Sequence, residues 1–428
     1  MKILIVSAYF PPLNSIASLR SYSWAKWFSR MGHDVTVLTT EKRNSPNDLR
    51  LDCSSFRIIK YPLWIPLSGL YHEAKRKMQE KSPAGLPLKF RLLNAMKKLY
   101  TSFATTTGCF YTCRYPDWHD WWARRAYKLV KNESWDLVIS SGGPYSVHRI
   151  GLALKKSGKT KKWVVDWRDL WTKNHLFGGL RIFHPLERYL ERKFHENADL
   201  ITTVSEPLAE VLRRMTKTRI EVIYNGFDPE DFCFLQSKPR KQNERFEIVY
   251  TGTIYRRFQD PSPLFEAVGN LLRNGVIKPT DLRITFAGPA QTDVTDLADK
   301  YGAKEVYTYA GFIPREEALE LQYNADVCLF LEYNNPSVKG ILTGKLFEYL
   351  YTAREIWAIG VGSDSVAGTL IEKSNSGVAL GTDVERIENL LIRRVKWKEQ
   401  PSLQKDFAFI EQFSREKQAL KLLELIGG

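Results

Sequence analysis

The chain has 428 residues, 43% hydrophobic and 26% charged, the balance of a folded globular protein that is too long for one ordinary core. Its five cysteines are odd in number and scattered, which argues against a disulfide framework and for a reducing compartment; Cys109 and Cys113 stand four apart without a second pair, so no metal site is expected. A net charge of +15 favours an anionic partner: nucleic acid, a membrane surface or a phosphorylated small molecule.

The charge is unevenly spread. Between Lys60 and Lys131 there are 14 Lys/Arg against 4 Asp/Glu, so most of the excess lies in about one sixth of the chain. The start, "MKILIVSAYFPP", has one charge before a short apolar run and no small-residue cleavage site, and is read as a strand rather than a leader. No window approaches the ~18–20 uninterrupted apolar residues of a spanning helix, so a soluble or peripheral protein is expected.

In chain order, "KILIVSA" is a strand, 18–31 a helix closed by Gly32, and "DVTVLTT" (34–40) a second strand. Further strands are expected at 56–61, 136–141, 162–167, 199–204 and 219–224, with helices between most of them. The polar stretch 236–245 reads as an interdomain linker. A second strand–helix series follows it, with strands in "FEIVYTG", "LRITFAG", "VYTYAGF", "ADVCLFL", "EIWAIG" and "GVAL". This alternation predicts an α/β protein of two doubly wound, Rossmann-like domains facing across a cleft, at 1–235 and 246–402. A final helical segment, 403–428, is expected to pack back toward the first domain.

Residues 62–125 break the alternation and read as a basic insertion. Within them Leu88, Leu92, Met96, Leu99 and Phe103 form one apolar stripe edged by Lys89, Arg91 and Lys98. Such a stripe either packs on the protein's own core or lies on an anionic bilayer.

Ligands of doubly wound domains sit beyond the carboxyl ends of the strands. In the first domain those ends deliver "SAYFPPLNSIASLR", with Ser15 and Arg20; "VISSGGPYSVH", with Ser141, Gly142, Tyr145 and His148; and "VVDWRDLW", with Asp166, Arg168 and Asp169. In the second they deliver "YTGTIYRR", with Gly252, Thr253, Arg256 and Arg257; "FAGPA", with Gly288; and "GKLFEYL", with Lys345, Leu346 and Glu348. Guanidinium groups suit phosphate, and a carboxylate can accept both hydroxyls of a ribose. Lys345 and Glu348, three apart, share a helix face. They read either as an ordinary helix salt bridge or as a clasp for a nucleotide.

Taken in order, "AYFPP", "GHDVTVLTT", "SSGGPYSVH", "DWRDLW", "NADLITTVSEPL", "VIYNGFDPEDF", "YTGTIYRR" and "GKLFEYL" resemble the GT-B glycosyltransferases of family 4, in the subgroup that makes bacterial surface polysaccharides. The resemblance covers nearly the whole chain apart from roughly 62–115. It implies a retaining glycosyltransferase that moves a sugar from a UDP- or GDP-linked donor to a polyprenyl-diphosphate-linked glycan, peripheral on the inner face of the cell membrane. It also implies that Glu348 grips the donor ribose, with Arg256 or Arg257 and Lys345 near the diphosphate. Asp166, Arg168 and Asp169 would face the reacting sugar and acceptor. No metal cofactor and no nucleic-acid partner are expected.

Two departures stand out. Many members carry a glutamate eight residues before the ribose-binding one, where this chain has Gly340; Lys339 or Glu332 would have to supply its contact. Many also have a Gly-Gly pair after the first Pro-Pro turn, where this chain has "LNSIAS" and Arg20 would compensate. Two alternatives are a nucleotide-sugar 2-epimerase of the same fold, which leaves the basic insertion unexplained, and a nucleic-acid-binding protein, for which no motif is present.

Overall fold

The computed structural model describes residues 1–41, 49–64, 88–110, 113–175, 177–236, 238–254, 259–289, 292–332, 340, 342–352, 354–360, 362–401 and 403–427. They divide into two compact units, Met1–Ile223 with Leu422–Gly428, and Tyr224–Lys421.

The first unit holds seven strands: β1 (Lys2–Ser7), β2 (Asp34–Glu41), β3 (Arg57–Pro62), β4 (Trp135–Ser141), β5 (Thr160–Trp167), β6 (Leu200–Thr203) and β7 (Ile220–Val222). They pair in the order β3-β2-β1-β4-β5-β6-β7, every pair parallel. Strands covered on both faces should read as continuous apolar runs, and Ile3–Val6 and Leu137–Ile139 are fully buried. The helix Ile16–Arg30 starts two residues earlier than its apolar period suggests because Ser15 caps it, accepting from the Ser18 amide.

In the second unit β8 (Phe246–Thr251), β9 (Leu282–Ala287), β10 (Tyr307–Gly311), β11 (Val327–Leu331), β12 (Glu355–Ile359) and β13 (Gly377–Gly381) pair in parallel as β10-β9-β8-β11-β12-β13. Strand order reverses between β1 and β4 in one sheet and between β8 and β11 in the other. Beyond their carboxyl ends lie the crevices where doubly wound sheets take ligands.

Three boundaries differ from the sequence reading. The units divide at 223/224, not in the polar stretch 236–245, because Phe227 packs with Phe347, Leu350 and Phe413 while Phe232 and Leu235 pack near Leu319. Buried apolar contact decides the division, whatever the polarity of the stretch that follows. The segment after 403 is two helices, Phe407–Glu411 and Arg415–Gly427, and only residues from Leu422 on count with the first unit.

The insertion also ends before 125. Asp117 caps the helix Trp118–Val130, whose Trp122 is buried and donates to the Tyr61 carbonyl at 3.0 Å, so this helix belongs to the crossover between β3 and β4. Residues 65–87 of the insertion lie outside the described residues, as do the side chains of Leu88, Lys89, Arg91 and Leu92. In the helix Leu88–Thr107 the rest of the stripe faces solvent: Met96 is 57% and Leu99 72% exposed, and Tyr100 and Phe103 lie open beside them. Among the described residues no helix is long and apolar enough to cross a membrane.

Candidate functional site

In the second unit the switch-point crevice opens where β8 ends. The chain leaves β8 through Gly252 at φ +105°, a conformation that side-chain-bearing residues rarely adopt. The bare Cα matters as well, because a Cβ there would sit 3.3 Å from Lys345 Nζ. Lys345 lies in the first turn of the helix Gly344–Tyr351, donates to the Tyr250 hydroxyl at 2.5 Å and stands over the Tyr250 ring. Burial pushes its pKa down to about 7, against the opposing charge of Glu348.

Glu348, one turn on, is 5% exposed. It does not pair with Lys345. Its Oε1 lies 2.8 Å from Arg315 Nη2, and its Oε2 accepts from Gln322 Nε2 at 3.4 Å. The ordinary helix salt bridge is therefore not what this pair forms. Leu346 is core, packed with Phe330, Phe347 and Ile356.

Thr253 is exposed and its carbonyl accepts from the Tyr250 hydroxyl at 2.8 Å. Gly288 continues β9, its amide donating to the Gly311 carbonyl at 2.8 Å. Glu332 follows β11 at the reversal point. It accepts from Ser365 Oγ at 2.8 Å, and burial raises its pKa to about 7. Arg256, Arg257 and Lys339 lie outside the described residues.

In the first unit the residues expected beside an acceptor are brought together, but mostly out of reach. Asp166, at the end of β5, is 0% exposed and accepts four hydrogen bonds. Arg20 gives two, Nε to Oδ2 at 3.1 Å and Nη2 to Oδ1 at 2.7 Å; Ser141 Oγ gives one at 2.7 Å and Thr202 Oγ1 one at 2.8 Å. Burial would raise the Asp166 pKa, but Arg20 and the two hydroxyls outweigh it and hold the carboxyl below its ordinary range. Asp166 thus ties the helix after β1 to the ends of β4, β5 and β6, and it presents no surface in this structure to the reacting sugar expected beside it. Arg20 and Ser141 are consumed by the same clamp.

His148 is also wholly buried, with Nδ1 2.8 Å from Ser140 Oγ and its ring edge-on to Trp167. Desolvation drops its pKa to about 3, so it is neutral. Tyr145 stacks on Trp171 at 4.0 Å and donates to Asp120. Both lie under the loop after β4 and present almost no surface to the acceptor expected there.

That loop is what reaches the surface. Gly142 passes so close to the aromatic layer that a Cβ would meet His148 Nε2 at 2.7 Å. Arg168 donates to the carbonyls of Gly142 at 2.8 Å and Gly143 at 2.9 Å, only partly buried, and Asp169 beside it is exposed. Ser15 caps the first helix at the same sheet edge, half-buried. Of the first-domain residues, Ser15, Arg168 and Asp169 keep a surface that a ligand could touch.

Arg315, Gln322, Tyr250 and Thr202 were missed by sequence reasoning. Each is an ordinary residue on a helix or strand, and only its partner across the fold marks it.

Two parallel sheets of one strand order, with polar groups gathered at the reversal points, match the GT-B class of fold. All of this chain superposes on all of the Anabaena protein HepE, solved with UDP, at a TM-score of 0.61 and 12% identity. It likewise covers all of WaaG, a glycosyltransferase involved in lipopolysaccharide biosynthesis (0.56, 12%), and 98% of sucrose-phosphate synthase of Thermosynechococcus elongatus (0.60, 14%).

Residues 102–231 match the family model Glycosyltransferase Family 4. A 2-deoxystreptamine glucosyltransferase of Streptomyces kanamyceticus is 26% identical over 199 residues, 42% of this chain. The chain spans about half the length of that curated relative, 48%. The resemblance to GT-B glycosyltransferases of family 4 therefore holds at the level of fold and of matched segment.

Proposed function

We propose that the protein is a glycosyltransferase that retains anomeric configuration and moves a hexosyl or N-acetylhexosaminyl group from a UDP- or GDP-sugar to a polyprenyl-diphosphate-linked glycan, in surface-polysaccharide (O-antigen, capsule or exopolysaccharide) synthesis. The observation that carries this is the second unit's crevice, where Gly252, Lys345 and Glu348 gather within a few side chains of the strand reversal. HepE, of the same fold, is solved with UDP and with UDP-glucose, which supports a nucleotide-sugar donor.

Chemistry would be electrostatic. As the glycosidic bond to the diphosphate breaks, negative charge gathers on the leaving phosphate. Lys345 and the Arg256-Arg257 pair are the cations this reading assigns to it, so no metal is required. Glu348 would accept the ribose hydroxyls. Arg168 and Asp169 would meet the acceptor, with Ser15 and the Gly142 loop beside them.

The acceptor's lipid calls for a seat on a membrane. The exposed Met96, Leu99, Tyr100 and Phe103 lie at i, i+3, i+4 and i+7 of one helix, and Trp118 Nε1 donates to Tyr100 Oη at 3.1 Å. Trp64 packs against Trp118 and Trp121, extending this aromatic surface, while Arg125 lies 3.7 Å over Trp121. Apolar and aromatic groups edged by cations suit the interface of an anionic bilayer. The reading places the protein in the cytoplasm, on the inner face of the cell membrane.

The test is calorimetric titration with UDP, GDP, ADP and dTDP, followed by turnover of the corresponding donor sugars. Tight binding of one diphosphate, with transfer to a lipid-linked acceptor, is expected. Failure of all four to bind overturns the reading, and interconversion of the free nucleotide-sugar without an acceptor would favour the epimerase.

A further inference from the structure

The helix Arg315–Asn324 follows Pro314 and carries Arg315 and Gln322 seven residues apart, two turns along one face. Both reach Glu348. Arg315 Nη2 lies 2.8 Å from Glu348 Oε1 and 2.7 Å from Asp231 Oδ2, and Asp231 has a second cation in Arg415 at 3.2 Å. Gln322 Nε2 spans Glu348 Oε2 at 3.4 Å and Thr251 Oγ1, at the end of β8, at 2.9 Å.

The contacts stop short of using up the acceptors. Arg315 meets Glu348 Oε1 as an ion pair at 2.8 Å, and each carboxylate oxygen keeps a lone pair for a second donor. Among the described residues, Gln322 Oε1 and Thr343 Oγ1, at the start of Glu348's own helix, are buried without a hydrogen-bond partner. Two buried oxygens without partners beside a carboxylate with lone pairs to spare are costly unless a ligand supplies O–H groups, and a vicinal diol supplies two.

We propose that Arg315 and Gln322 are positioning residues that hold the Glu348 carboxylate aimed at the 2′ and 3′ hydroxyls of a nucleotide's ribose. The proposal rests on the reading above that Glu348 receives the donor. Its physical content is twofold. A carboxylate this buried stays an acceptor on both oxygens only with a cation beside it; protonated, it would turn one oxygen into a competing donor. Burial works against the charge of Arg315, yet Glu348 and Asp231 push its pKa above the ordinary arginine value, so the cation stays beside the carboxylate. Gln322 then fixes the rotation of the carboxylate by holding the second oxygen.

The experiment compares UDP and GDP with their 2′,3′-dideoxy counterparts by calorimetry on the full chain, wild type and variants. Wild type should prefer the ribonucleotide by about tenfold or more, the worth of a hydrogen bond to a charged group. Arg315→Met should lose most of that preference while its affinity for the dideoxy compound is unchanged; Asp231 keeps Arg415, so no second charge is orphaned. Arg315→Lys should restore much of the preference, and Gln322→Met should lower it severalfold.

A merely structural Arg315 would weaken both nucleotides alike, and that result overturns the proposal. So does an Arg315→Met protein with full preference. If Arg315→Met does not fold, the Lys and Gln322→Met variants decide by the same ratio. The reading beneath fails separately. Full preference in Glu348→Gln removes Glu348 from the ribose and the positioning role with it, whereas loss there beside an unaffected Arg315→Met overturns the positioning alone.

Discussion

Replacing Asp166 by leucine should unsettle the first unit far more than the loss of one surface carboxylate would. The substitution deletes four hydrogen-bond acceptances at 2.7–3.1 Å and leaves Arg20, 2% exposed, with its principal counter-charge gone. Stranding one member of a buried ion pair costs about 3–5 kcal/mol. The double variant Arg20→Met/Asp166→Leu removes both charges. What remains is two hydroxyls, Ser141 and Thr202, each losing a partner at about 1 kcal/mol, so the double variant should be the more stable of the two.

Urea unfolding followed by tryptophan fluorescence reads this out, since ten of the twelve tryptophans lie in the first unit. With two units present, the first-unit transition is fitted by itself. The pH dependence gives a second check. The folded Asp166 pKa is depressed, so its contribution is complete above the unfolded carboxyl range and is lost as pH falls through the folded value. Wild type should lose this contribution in acid, and the leucine variant should lack it at every pH. A single variant within about 1 kcal/mol of wild type, or a double variant less stable than the single, would refute the clamp.

Lys345, with its pKa near 7 in the free protein, should be driven protonated by a bound diphosphate; diphosphate affinity should therefore hold steady below pH 7 and fall above it, and calorimetry of Lys345→Met should show the fall abolished. Gly142→Ala forces a methyl to 2.7 Å from His148 and 3.0 Å from Trp167, both buried, so a loss of about 1–3 kcal/mol is expected in the same urea assay. Leu99→Ser/Phe103→Ser should float poorly with anionic liposomes while melting like wild type, because each side chain brings about 1.5–3 kcal/mol to an apolar phase. Equal flotation would remove that helix from the membrane. High salt should weaken wild-type binding through screening of Lys98 and Arg125.

Local pattern was enough to read the two parallel sheets. Strands covered on both faces must be apolar throughout, and "ILIV", "LVIS" and "VCLFL" announce themselves without knowledge of their neighbours. Pattern also placed Lys345 and Glu348 together at a helix start, because helical spacing is a short-range fact. What it could not supply was any pairing set by tertiary contact. Arg20 and Asp166 are 146 residues apart, and Arg315 meets Glu348 from a different helix, so neither spacing nor composition foretells them. The same limit turned "DWRDLW" into three catalytic candidates when its first aspartate is a buried tie and only Arg168 and Asp169 keep a surface. It also left the stripe from Leu88 to Phe103 with two readings, since amphipathic spacing says that one face is apolar and not what lies against it. Only the packed chain shows that Met96, Leu99 and Phe103 stay in solvent while other side chains fill the core.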